Sequence, residues 1–133
     1  MRAEFALLCR GIVGDSLPAD FEAAGIDTVW LPEVPGAVQL FLALSLKGTA
    51  EEFVAGVEHT VEVYLIGPGP SSLADVNYEF TELPPPGHDP AWEVPSFHRL
   101  ILDFEALAYG AHLVEVYVDG ANVASVPVVV RQP

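Results

Sequence analysis

Lysine is almost absent from this chain. Lys47 is the only one, and with four arginines it faces nineteen Asp and Glu, for a formal net charge of −14 at pH 7. Proteins hold phosphate backbones by neutralising them with Lys and Arg, so the deficit excludes nucleic acid as an expected partner. Anionic membrane surfaces are excluded for the same reason. A basic protein partner or bound cations would be favoured, and the plainer role of the acids is to keep an apolar chain in solution.

Cysteine is nearly as scarce. Cys9 stands alone in "FALLC", which rules out an internal disulfide or a Cys-x-x-Cys pair and reads as a buried, inert thiol. No apolar run approaches the ~20 residues of a membrane span. The opening "MRAEFALLCRGIVGD" is too short and too charged for a signal peptide and has no cleavage site. These absences lead to the expectation of a cytoplasmic protein.

Chemical motifs are lacking too. His59, His88, His98 and His112 include no His-x-His or His-x-x-x-His pair, so no zinc site is expected and the histidines read as edge or surface residues. No Asp-x-Asp-x-Asp-Gly loop is present for calcium. There is no Gly-x-Ser-x-Gly elbow, "GPGPSS" is followed by no lysine, and no dinucleotide fingerprint occurs. The expectation is a protein that is not an enzyme and carries no metal and no cofactor.

What is present is strand. Half of the 133 residues are hydrophobic, too many for disorder and enough for one domain over residues 1–133. Strand-like runs alternate with Gly, Pro and Asp turns, the pattern of an all-β protein. They cover 3–13, 21–31, 37–48, 59–67, 73–83 and 96–107, and a closing hairpin over 110–130 supplies two more. Residues 16–25 also admit a helix, with Ser16 as cap and Gly25 as stop. In 37–48, Val38, Leu40, Leu42, Leu44 and Leu46 share one face while Phe41 and Ala43 lie on the other, which marks a central strand buried on both sides. Thr49 and Glu52 have capping-box spacing and predict a short helical turn near residues 50–55. The fold class expected is a two-sheet antiparallel β-sandwich, immunoglobulin-like or related, of about eight strands. A closed barrel of the same strands is the alternative.

The hairpin itself reads as a turn over Asp119–Asn122, with Val114 opposite Pro127 and a bulge near Ser125–Pro127. Pro127 cannot donate to a ladder, so the last strand is an edge or is bulged there.

"AEFALLC", "GIDTVWLPEVP", "EEFVAGVEHTVEVYLIGP" and "YGAHLVEVYVDGANVASVPVVV" together resemble a family of small bacterial β-sandwich proteins, a domain family of unknown function. The family pattern is an Ala-Glu-x-Ala-x-x-Cys opening, a Gly-Ile-x-Asp/Asn second strand and a closing hairpin with an Asp-Gly turn. This chain departs from it at Gly110-Ala111-His112, where the family places an aromatic residue, and in the Pro-rich segment 84–95. The resemblance implies a fold and supplies no catalytic residue.

Aromatic residues are the remaining candidates for contact. Trp30 ends a strand before "LPEVP", and Trp92 lies in the Pro-rich loop with Phe97 close behind. Aromatics are enriched at interfaces. With Pro127 on the open edge, Trp92, Trp30 and Phe97 form the expected partner-contact set. The mean hydropathy is positive for so short a chain, which favours a homodimer. The leading expectation is thus a non-enzymatic protein-interaction module, binding a protein partner or itself. The alternative is a small-ligand or carbohydrate-binding sandwich, with or without calcium. A hydrolase built on dispersed carboxylates comes third.

Overall fold

The computed structural model describes residues 1–54, 56–69 and 72–133. It is all-β, with ten strands: Arg2–Cys9 (β1), Gly11–Val13 (β2), Asp20–Glu22 (β3), Thr28–Trp30 (β4), Gly36–Gly48 (β5), His59–Ile66 (β6), Ser72–Phe80 (β7), Val94–Ala106 (β8), Gly110–Val118 (β9) and Ala121–Arg131 (β10). Alternation at period two sets one face of each long strand inward. Val38 to Leu46 of β5, Leu100 to Ala106 of β8, Val61 to Leu65 of β6, Val114 to Val118 of β9, and Val128 and Val130 of β10 meet in one core.

These strands form a three-stranded sheet, β1-β5-β8, and a five-stranded sheet, β4-β10-β9-β6-β7, whose inner faces share that core. A third sheet, the β2-β3 ribbon, covers part of the outer side of β5. There Cys9, Ile12 and Ala43 are buried beneath Phe5, Phe21, Phe41 and Phe97. β5 is therefore central and partly buried on both sides, as its sequence predicts.

Three expectations need correction. The two-sheet, eight-strand antiparallel arrangement gives way to ten strands in three sheets, and β4 runs parallel to β10. The expected strand over 21–31 is broken because Ala23 (φ 50°) and Gly25 (φ 85°) take left-handed backbone, so β3 joins the ribbon and β4 the large sheet. Among the described residues of the expected helical turn near 50–55 there is no helix. Thr49 and Glu52 do make reciprocal bonds, Thr49 N–H to Glu52 Oε1 at 2.9 Å and Glu52 N–H to Thr49 Oγ1 at 3.2 Å. They close a single turn, because Phe53 is drawn inward beneath Gly48, where any Cβ would lie 2.6 Å from its ring. Ala55 lies outside the described residues, as do Pro70 and Ser71 of "GPGPSS".

The closing hairpin turns on two residues rather than four. Asp119 (φ 51°) and Gly120 (φ 81°) both have positive φ, the mirror-image turn that matches strand twist. Ala121 pairs with Val118, and the register shifts between Asn122 and Ala124. The bulge thus lies before Ser125, and Pro127 faces Leu113 rather than Val114. On its other side β10 pairs with β4 only from Val129 to Arg131, so the edge at Pro127 has no strand partner among the described residues.

Candidate functional site

Trp30 ends β4, an edge strand fixed at both ends. Val129 N–H donates to Asp27 O and Leu31 N–H to Arg131 O, each at 2.9 Å, and the Tyr109 hydroxyl donates to Leu31 O at 2.9 Å. With Pro32 next in sequence, the backbone around the indole is stiff. Trp30 is 58% exposed. It forms a wall of two adjoining depressions. One, of about 390 Å³, is also lined by Arg10, Ile26, Thr28, Gln39 and Leu40. The other, of about 490 Å³, adds Tyr109, Val129, Arg131 and Gln132.

The arginines give this cleft its character. Three of the five basic side chains are engaged elsewhere: Arg2 with Glu93 at 2.6 Å, Lys47 with Glu4 at 3.5 Å, and Arg99 with the Ile12 and Gly14 carbonyls at 3.4 Å each. Arg10 and Arg131 are exposed and have no ion-pair partner among the described residues. In a chain of net charge −14, the two uncommitted guanidinium groups thus flank its cleft tryptophan. A guanidinium fork matches a carboxylate bidentately, and an indole face stacks on a ring.

Three histidines read from sequence as edge or surface residues are instead turned toward the interior. Alternation could have revealed them: His59 is in phase with Val61, Val63 and Leu65, His112 with Val114, and His98 with Leu100. His98 lies where β7 and β8 meet, in a chain of hydrogen bonds. Its Nδ1 is 2.8 Å from the Tyr78 hydroxyl, its Nε2 is 2.7 Å from Ser96 Oγ, and Ser96 donates to Glu82 at 3.0 Å. Burial pushes His98 down to about 4 and the Tyr78 phenol well up. The neutral imidazole therefore accepts from Tyr78 and donates to Ser96. A nucleophilic serine needs the opposite direction, with histidine accepting its proton. The chain Tyr78–His98–Ser96–Glu82 satisfies four polar groups and ties the two sheets together. Ser96→Ala leaves Glu82 and the His98 N–H without partners and is expected to cost about 1–3 kcal/mol in urea unfolding.

His59 is held in the opposite protonation state. Its Nδ1 is 2.7 Å from Asp119 Oδ2 and its Nε2 2.7 Å from Glu52 O, two acceptors that call for a proton on each nitrogen. Burial alone would pull its pKa down, but the bonds to Asp119 and the Glu52 carbonyl outweigh it and hold it above the ordinary value. Burial likewise opposes ionisation of Asp119, and His59 with the Thr60 N–H outweighs it, so the Asp119 pKa is lowered.

The two histidines give pH dependences of opposite sign. The unfolded chain protonates His98 near its ordinary 6.5, whereas the folded chain resists until about 4. Stability from this group is full above pH 6.5 and falls by about 3 kcal/mol as the pH drops to 4. The His59 contribution is full below pH 6.5 and is lost as the pH rises through its elevated folded value. Urea unfolding from pH 4 to 9 is expected to show a maximum near pH 6.5. His98→Gln should flatten the acid side and Asp119→Asn the alkaline side.

The other residues of the expected contact set lie apart from the cleft. Trp92 is 67% exposed on the loop before β8, edge-on to His88 with ring centroids 6.4 Å apart. Phe97 is half-buried against Phe21, with centroids 6.1 Å apart. Pro127 is exposed on β10. Cys9 is fully buried, and burial raises its thiol pKa. Among the described residues no group of three or more His, Cys, Asp or Glu is placed to hold a metal ion. No helix among the described residues is long and apolar enough to cross a membrane.

No family model and no curated protein matches the chain. Among solved structures it is similar to Pseudomonas fluorescens alkylpurine DNA glycosylase AlkC bound to DNA containing an abasic site analog, at 13% identity and a TM-score of 0.47. The match covers 95% of this chain and 30% of that one, so this chain spans less than a third of its neighbour's length. This finding corrects the partner expectation drawn from charge, which named a protein partner or homodimer and excluded nucleic acid and membrane. That expectation is not carried forward. No activity passes to this chain from so distant a likeness.

Proposed function

We propose that this chain is a non-enzymatic binding protein that receives an acidic carbohydrate in the Trp30 cleft. The observation that carries the proposal is an exposed, rigidly mounted indole flanked by the exposed Arg10 and Arg131, neither committed to a carboxylate. A sugar ring presents a flat C–H face to the indole, its carboxylate meets a guanidinium fork, and Thr28 and Gln39 offer hydrogen bonds to its hydroxyls. The protein's negative field repels an anion at long range, so the contact depends on the two local arginines. The Ser96–His98 polarity described above supports a binding role rather than acyl transfer. The reading as a protein-interaction module rests on the exposed Trp92 and the open β10 edge at Pro127, neither of which lines the Trp30 cleft.

The strand order supports an immunoglobulin-type reading of the fold. β1-β5-β8 facing β4-β10-β9-β6-β7 corresponds to an A-B-E sheet facing a G-F-C sheet extended by one strand at each side.

Isothermal titration with oligogalacturonate, and with the corresponding neutral oligosaccharide, tests the proposal. Binding of the acidic sugar at least tenfold tighter than the neutral one is expected. Equal affinity, or no heat with either, overturns it.

A further inference from the structure

Where the β6–β7 and β8–β9 connections meet, we infer a second site, a small apolar pocket built for a phenol-sized ligand that donates one hydrogen bond to His112. His112 is 3% exposed. Its Nδ1–H donates to Gly110 O at 2.9 Å, which leaves Nε2 as a lone-pair acceptor. Nε2 is buried and has no partner among the described residues. A buried acceptor in this state is costly, and natural structures rarely leave one.

The surroundings define what would satisfy it. His112 lines a pocket of about 220 Å³ with Gly67, Pro68, Leu73, Leu107 and Ala108. The wall is largely apolar, and apart from His112 no side chain in it carries a hydrogen-bond donor. Leu107 is 60% exposed at this pocket although it is a large apolar side chain. Gly67 has no side chain to cover the imidazole, and a Cβ built there would lie 3.3 Å from Nε2 and 3.0 Å from Leu73 Cδ1. Bulk water does not reach Nε2, so an entering hydroxyl must displace the Gly67–Gly69 segment slightly, a motion that two glycines permit.

Size selects the ligand class. An apolar cavity of about 150 Å³ holds benzene, so this pocket has room for a ring and its hydroxyl. The apolar wall disfavours charged or multiply polar ligands, which would lose hydration without return. A neutral small-ring alcohol or phenol, with one donor and an apolar body, fits both requirements.

The test is titration of the ¹⁵N-labelled full chain with phenol and, separately, with benzene. Phenol is expected to shift the amide signals of residues 67–69, 73 and 107–112 and the His112 imidazole nitrogen. It should bind at least tenfold more tightly than benzene, as one hydrogen bond requires. Leu107→Ser, at a residue 60% exposed, should weaken phenol at least threefold. Gly67→Ala, which places a methyl against Nε2, should abolish the preference for phenol over benzene. Equal affinity for the two ligands, shifts confined to other residues, or no shift with phenol up to its solubility overturns the inference. So does an ordered water found on Nε2 in a crystal soaked with phenol.

Discussion

Phe53→Ala is expected to destabilise the protein by about 3–5 kcal/mol, a fall of roughly 10–15 °C in Tm for a chain of this size. Phe53 lies on the connection between β5 and β6, yet it is 1% exposed and among the largest fully buried side chains. Its ring packs against His59 at 5.4 Å and Phe80 at 6.3 Å between centroids, and it fills the space over Gly48. Truncation empties that space beneath a turn held by Thr49, Glu52 and the N-terminal ammonium, which is 2.8 Å from Glu52 Oε2. These anchors resist collapse, and a cavity that cannot collapse costs most. His59 also loses its packing partner, so the alkaline limb of the pH profile should steepen or shift in the variant. Urea unfolding at pH 6.5 checks the magnitude. A loss under 1 kcal/mol would mean that the 49–54 turn contributes little to the core.

Trp30→Ala is expected to weaken binding of the acidic sugar by roughly thirtyfold, about 2 kcal/mol, while leaving the unfolding midpoint nearly unchanged. The separation follows from position. The indole is 58% exposed at the end of an edge strand, so folding gains little from it, whereas both depressions share it as a wall. Arg10→Gln with Arg131→Gln should act differently. Stacking remains, so the neutral sugar should be bound as before, and the preference for the acidic one should disappear. Trp92→Ala, at an exposed loop residue outside the cleft, should change neither quantity.

Strand existence was legible in the sequence because period-two alternation is strong in 37–48, 59–67, 96–107 and 110–130, and the central place of β5 followed from its two apolar faces. Strand breaks were not. Ala23 at φ 50° is unforeseeable from an alanine codeword, and it is what parts β3 from β4. The capping-box spacing at Thr49 and Glu52 correctly gave the reciprocal bonds but not their outcome, since tertiary burial of Phe53 overrode local helix formation. The turn at Asp119-Gly120 had the dipeptide signature of a two-residue hairpin, and reading four residues there displaced the bulge.

The site was legible only in part. Trp30 stood out as a candidate, but its arginines come from the segment after β1 and from the end of β10, and nothing in the linear order joins them. The inward histidines could have been found, because each keeps phase with a run of buried valines or leucines. They were read by ligand spacing, which carries no information about burial. That Arg10 and Arg131 are the uncommitted cations required knowing where Arg2, Lys47 and Arg99 find their acceptors.

The chain has two tryptophans, and each gives one indole N–H signal in a ¹H–¹⁵N spectrum of the labelled protein. Titration with oligogalacturonate is the most direct measurement of the central claim. The Trp30 indole signal should move with saturation, together with the side-chain signals of Arg10 and Arg131, while the Trp92 indole signal stays in place. Movement of Trp92 with Trp30 unmoved, or no movement of either, would contradict a binding role for the Trp30 cleft.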